Sequence, residues 1–138
     1  VLVAVDGSPL AERALTYAIE TFPDALITSM YVINPVDSVI DVEAGGLPVA
    51  EGWYENAKEE ATRIHATATD LAAEWGVELE TVTEVGKPAR AILEYADDHD
   101  VDQIVMGSHG RSGVTRILLG SVAESVVRDS SVPVTVAR

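Results

Sequence analysis

Apolar positions change their period several times along this chain, and each change marks an element boundary. Val1 to Val5 is a short, nearly unbroken apolar run closed by Asp6-Gly7-Ser8-Pro9, the pattern of a strand buried on both faces that ends in a turn. Ser8 suits a helix N-cap and Pro9 the first helical position. Leu10, Ala14, Ala18 and Phe22, with Leu15 and Ile19 beside them, then form one helical stripe that Phe22-Pro23 stops. Strand composition returns over residues 25–33. Residues 34–50 hold two prolines and the pair Gly45-Gly46, which predicts a long loop and the most mobile part of the chain.

A long helical pattern runs over residues 51–75, with Ala57, Ala61, Ile64, Ala68, Leu71 and Ala72 near helical spacing, and Gly76 ends it. Residues 77–85 alternate Val77, Leu79, Thr81, Thr83 and Val85 with acids, a period-2 strand with one wet face, as near a sheet edge. After Gly86-Lys87-Pro88 come a helix over 88–99, a buried strand over 101–106, a helix over 121–129 and a closing strand over 132–137. No repeat or linker interrupts the series, so the expectation is one domain over residues 1–138. Strands separated by helices pair in parallel through right-handed crossovers, which gives an α/β fold of three layers with helices on both faces of the sheet. Ligands in such folds bind beyond the carboxyl ends of the strands, where the strand order reverses. Asp6-Gly7-Ser8 and Gly107-Ser108-His109-Gly110 both follow strands directly, so one crevice can hold them both.

Charge sharpens the picture at one place. The chain has 23 Asp and Glu against 9 Lys and Arg, a formal net charge of -14, yet residues 103–123 contain no acid. An even spread would put about one acid every six residues, so this window keeps carboxylates away from something. The net charge argues against a broad nucleic-acid surface, and no run approaches the roughly 18 apolar residues of a membrane span. No partner of either kind is expected, and the reading is of a soluble, cytoplasmic protein. High acidity with only two lysines, Lys58 and Lys87, also fits a halophilic habitat, where concentrated salt screens self-repulsion. Cysteine is absent, which removes thiol catalysis and Cys-based metal sites, and His65, His99 and His109 are too scattered to form a His metal site by themselves.

Within the acid-free window, Gly107 and Gly110 allow positive φ and close approach of a ligand to the backbone, and successive amides there can converge on an anion. Gly120-Ser121 begins the next helix, whose free amides and dipole would form a second wall. Arg111 and Arg116 supply the only full positive charges. Taken alone, the glycine pair equally marks a tight turn, and Ser121-Val122-Ala123-Glu124 reads as a capping box with Ser121 as the cap. Asp6 suits a metal ligand, a hydrogen-bond acceptor for a nucleoside, or a turn cap. His65 and His99 read as solvated, and His109 as a loop side chain. There is no GxxxxGK motif and hence no lysine clamp for a triphosphate.

The spacing Gly107-x2-Gly110-x9-Gly120-Ser121, with Ile104-Val105-Met106 before it and Val132-Pro133-Val134-Thr135-Val136 closing the chain, resembles the nucleotide-binding signature of the universal stress protein family. Val3 to Pro9 resembles that family's opening. The resemblance implies an adenine nucleotide alpha-hydrolase-like fold with a five-stranded parallel sheet in the order 3-2-1-4-5. It further implies ATP as ligand, with Mg2+ bound through the phosphates and not through a metal site of the protein. Positions matching Ala4, Val5, Asp6 and Val32 would line the adenine and ribose pocket, with Ser8 beside them. Those matching Met106, Gly107, Gly110, Gly120, Ser121 and Val122 would hold ribose and phosphates, with Arg111 as a cation. A homodimer through the last strand, Val132 to Ala137, is implied as well. A nucleotide-dependent stress-response regulator is thus the leading expectation; a slow ATPase, or the same fold binding another nucleotide such as AMP, stands as the alternative.

Overall fold

The computed structural model describes residues 1–35, 50–109 and 119–138. Most of the loop expected over 34–50 lies outside them. The elements follow the order β1 (Leu2–Ala4), α1 (Pro9–Thr21), β2 (Thr28–Ile33), α2 (Ala50–Glu74), β3 (Glu80–Val85), α3 (Pro88–Asp98), β4 (Ile104–Gly107), α4 (Ser121–Asp129) and β5 (Val134–Ala137). The five strands form one sheet in the order β3-β2-β1-β4-β5, all neighbours parallel.

This order explains which sequence runs are continuously apolar. β1 is the middle strand and β4 lies beside it, so both are covered on both faces, and Leu2, Val3, Ile104 and Val105 are fully buried. β3 is an edge, and Glu80, Thr81, Thr83, Glu84 and Val85 are all exposed there. Only Val82 among them is half-buried, and edge carboxylates of this kind keep a second sheet from pairing with the strand.

Two cores fill the two faces. On one, α1 and α2 press Ala11, Ala14, Leu15, Ala18, Ile64, Ala68 and Ala72 onto Val3, Val5 and Val105. On the other, α3 and α4 press Ile92, Ala96, Ala123 and Val126 onto Leu2, Met30, Ile104 and Met106. Each large aliphatic chain buried this way contributes on the order of 1.5–3 kcal/mol. The helices change face between β3 and β4, where the chain crosses from one edge of the sheet to the far side of β1. That reversal places a crevice between the carboxyl ends of β1 and β4.

Candidate functional site

The crevice is built first by the turn after β1. Gly7 takes φ +83, which turns the chain sharply away from the sheet. Asp6 Oδ1 accepts the Ser8 N–H at 2.9 Å, and Ser8 Oγ accepts the Ala11 N–H at 3.2 Å as N-cap of α1. Ser8 is buried, so its hydroxyl is committed to that cap. Asp6 is half-buried beside it, and holding the turn is the part of its role visible in the fold.

The second wall is the exit of β4 together with the start of α4. The Gly120 N–H donates to the Ser108 carbonyl at 2.6 Å, and the Ser108 N–H donates to Ala137 O at 2.7 Å, so the turn after β4 is tied both to α4 and to β5. The two glycine turns expected to meet therefore do meet. Gly120, not Ser121, is the N-cap of α4, with φ -70 and ψ 169. Ser121 is the first helical residue and is exposed, which overturns the capping-box reading. Glu124 turns instead toward Arg128 at 3.4 Å. The first intrahelical bond runs from the Glu124 N–H to Gly120 O, which leaves the N–H groups of Ser121, Val122 and Ala123 without an acceptor inside the helix.

The backbone at Gly107 departs from expectation. Its φ is not positive, and its missing side chain makes room for protein: a Cβ there would lie 2.9 Å from Leu10 Cβ and 3.1 and 3.2 Å from the Leu10 carbonyl carbon and oxygen. Gly107 thus lets the first turn of α1 pack against β4. A Cβ on Gly120 would lie 3.2 Å from Ser108 O and 3.5 Å from His109 Nδ1. Leu10 and His109 are accordingly site-forming residues that local sequence does not reveal, because each acts on a glycine in another element.

The candidate residues divide by face. Ala4, Val32, Met106 and Val122 all pack on the core beneath α3 and α4 and come together at the carboxyl end of the sheet. Val5 belongs to the opposite core, beneath α1 and α2. Gly110 and Arg111 lie outside the described residues. On the face of Val5 a cavity of about 180 Å³ opens between α1 and α2, its floor formed by Leu15, Ile64 and Ala68 and its rim by Glu12, Glu60 and Arg63. It is smaller than the roughly 300–1,000 Å³ usual for small-molecule sites. It also lies across the sheet from Ala4, Val32, Met106 and Val122.

Of the two histidines read as solvated, one differs from expectation. His65 is half-buried: its Nε2 lies 2.8 Å from Thr83 Oγ1, and burial lowers its pKa from the ordinary 6.5. His99 is exposed but stacks on Tyr95, ring centroids 3.9 Å apart, and its Nδ1 lies 3.1 Å from Tyr95 O. Among the described residues no helix is long and apolar enough to cross a membrane.

Known proteins share this architecture. Universal stress protein MJ0531 of Methanocaldococcus jannaschii is 36% identical over 143 aligned positions, which cover 100% of this chain and 81% of that protein. Universal stress protein YxiE of Bacillus subtilis is 34% identical over 99% of this chain and 97% of its own length. A universal stress protein whose crystal structure was determined in complex with cAMP has a TM-score of 0.72 at 26% identity, with 99% of this chain and 94% of that one covered. The family model described as "Universal stress protein family" matches residues 1–138, and with the strand order, the meeting of the two turns and the relatives' identity it establishes that this chain belongs to the universal stress protein family.

Proposed function

We propose that this chain binds an adenine nucleotide in the crevice beyond β1 and β4, with ATP carrying Mg2+ on its phosphates as the preferred form, and acts as a nucleotide-dependent regulatory module. One observation carries the reading: Ser108 O receives the Gly120 N–H, which sets the free amides of the first turn of α4 beside the apolar end of the sheet. The nucleoside would lie on Ala4, Val32 and Met106, with Asp6 as its polar partner. The phosphates would meet the N–H groups of Ser121 and Val122, where the helix dipole favours anions. Gly110 and Arg111 would complete that wall. The absence of acids over residues 103–123 fits an anionic ligand. The relative solved with cAMP supports the choice of an adenine ring. It also favours a second reading, a nucleotide with a single phosphate.

Isothermal titration with ATP and Mg2+, AMP and cAMP separates these readings. Saturable binding with ATP tightest supports the first; equal affinity for all three supports the second; no heat at millimolar concentration of any of them rejects both. Asp6→Asn keeps the oxygen that accepts the Ser8 N–H, so the turn survives while the charge goes. Losing a charged acceptor costs about 1 kcal/mol more than losing a neutral one, so affinity should fall by about fivefold. Phosphate release in the same samples tests for slow ATP hydrolysis. The closing strand, Val132 to Ala137, would join two copies of the chain, because β5 is a sheet edge with half-buried apolar side chains. Sedimentation equilibrium tests this, and a monomer at millimolar protein would overturn it.

A further inference from the structure

We infer that His65 is an acid-sensitive latch holding α2 against the edge strand β3. The geometry is specific. His65 Nε2 lies 2.8 Å from Thr83 Oγ1, while Nδ1 is buried without a hydrogen-bond partner. A neutral ring meets this arrangement in either tautomer with only Nδ1 unsatisfied. A protonated ring carries a second, charged N–H at Nδ1 and has nowhere to donate it.

Nothing charged among the described residues compensates. Val82 packs toward α3 and α4, so by strand alternation Thr81, Thr83 and Val85 are the β3 side chains on the α2 side, while Glu80 and Glu84 face away. On β2, Tyr31 pairs with Thr83 and packs on the α2 side; Ser29, paired with Thr81, is the residue before it on that face. One turn to either side on α2 stand Ala61, Thr62, Ala68 and Thr69. α1 meets α2 on its other flank, where Glu12, Glu60 and Arg63 line the cavity, and Glu60 pairs with Arg63.

The polar surround is itself poorly satisfied. Ser29 is fully buried and its Oγ also lacks a partner. Under α2 the sheet offers the hydroxyls of Ser29, Thr81 and Thr83 beside Tyr31 and Val85. Burial lowers the His65 pKa, so the folded protein binds this proton more weakly than a free chain does. As pH falls below 6.5, protonation therefore favours states in which the ring has left Thr83. Each pKa unit of lowering shifts the ratio between states with the ring on Thr83 and states with it released by about tenfold at low pH.

Hydrogen exchange at pH 7.5 and pH 5, corrected for intrinsic rates, reads the latch directly. Protection of α2 amides should fall several-fold at pH 5 in the unmodified protein and hold steady in His65→Gln, whose neutral amide can still pair with Thr83. The same loss in His65→Gln would overturn the inference. An NMR titration of the unmodified protein decides the matter even if that variant fails to fold: a His65 midpoint below 6.5, with Thr83 shifts moving together with it, supports the latch. A midpoint at or above 6.5 removes it. Neither readout depends on nucleotide binding.

Discussion

Gly107→Ala tests the packing role given to this glycine. The added methyl would stand 2.9 Å from Leu10 Cβ and within 3.1–3.2 Å of the Leu10 carbonyl group, well inside ordinary contact distance. Two of these three atoms are backbone, so no change of rotamer relieves them, and the first turn of α1 must move by several tenths of an ångström. That turn is held by the Ser8 cap and by the Asp6 hydrogen bond to Ser8, which resist the movement. Overpacking of this kind costs about 1–3 kcal/mol. Unfolding entropy near 2 cal/mol/K per residue makes 1 kcal/mol worth about 3 °C in a chain of this length, so Tm should fall by about 3–10 °C. Thermal and urea unfolding followed by circular dichroism measure it. Leu10→Ala should not rescue the variant, because Cβ and the carbonyl group remain in place. A Gly107→Ala protein within about 0.5 kcal/mol of the parent would refute the steric argument and return Gly107 to a purely ligand-facing role.

Ser8→Ala and Ser121→Ala should behave differently although both serines begin a helix. The first loses a buried cap and about 1 kcal/mol, while the second changes an exposed residue that caps nothing and stays within about 0.5 kcal/mol; equal effects in urea unfolding would contradict the assignment of Gly120 as the cap. Ser29→Ala removes a buried hydroxyl without a partner and should stabilise the fold by about 1 kcal/mol, and a loss of that size would mean the hydroxyl is satisfied in solution. Raising sodium chloride from 0.1 to 1 M shortens the screening length from about 10 to about 3 Å and should raise Tm in a chain of net charge -14; a flat or falling Tm would argue against repulsion as a destabilising force.

Much of this protein is written locally. The helix over 121–129 agrees with its predicted bounds, and Ser8, Pro9 and Gly76 punctuate the chain where expected, because caps and glycine turns depend on a few adjacent residues. Strands are less local. The runs over 25–33, 77–85 and 101–106 shorten or shift to Thr28–Ile33, Glu80–Val85 and Ile104–Gly107, because ladder partners decide where a strand begins and ends. The alternation over 77–85 indicated an edge strand, and β3 is one, yet Thr83 there meets His65 from a helix 18 residues earlier, a contact that no period reveals.

By itself, then, the sequence determined the alternation of helices and parallel strands, the two turns that face each other, and the strip cleared of acids, since each depends on side-chain type and spacing along the chain. Tertiary structure alone decided that Gly107 yields to Leu10, that Gly120 and not Ser121 caps α4, and that His65 is held at the sheet edge. Those outcomes rest on atoms brought together across the fold, where a clash of tenths of an ångström or one unpaired nitrogen outweighs local preference.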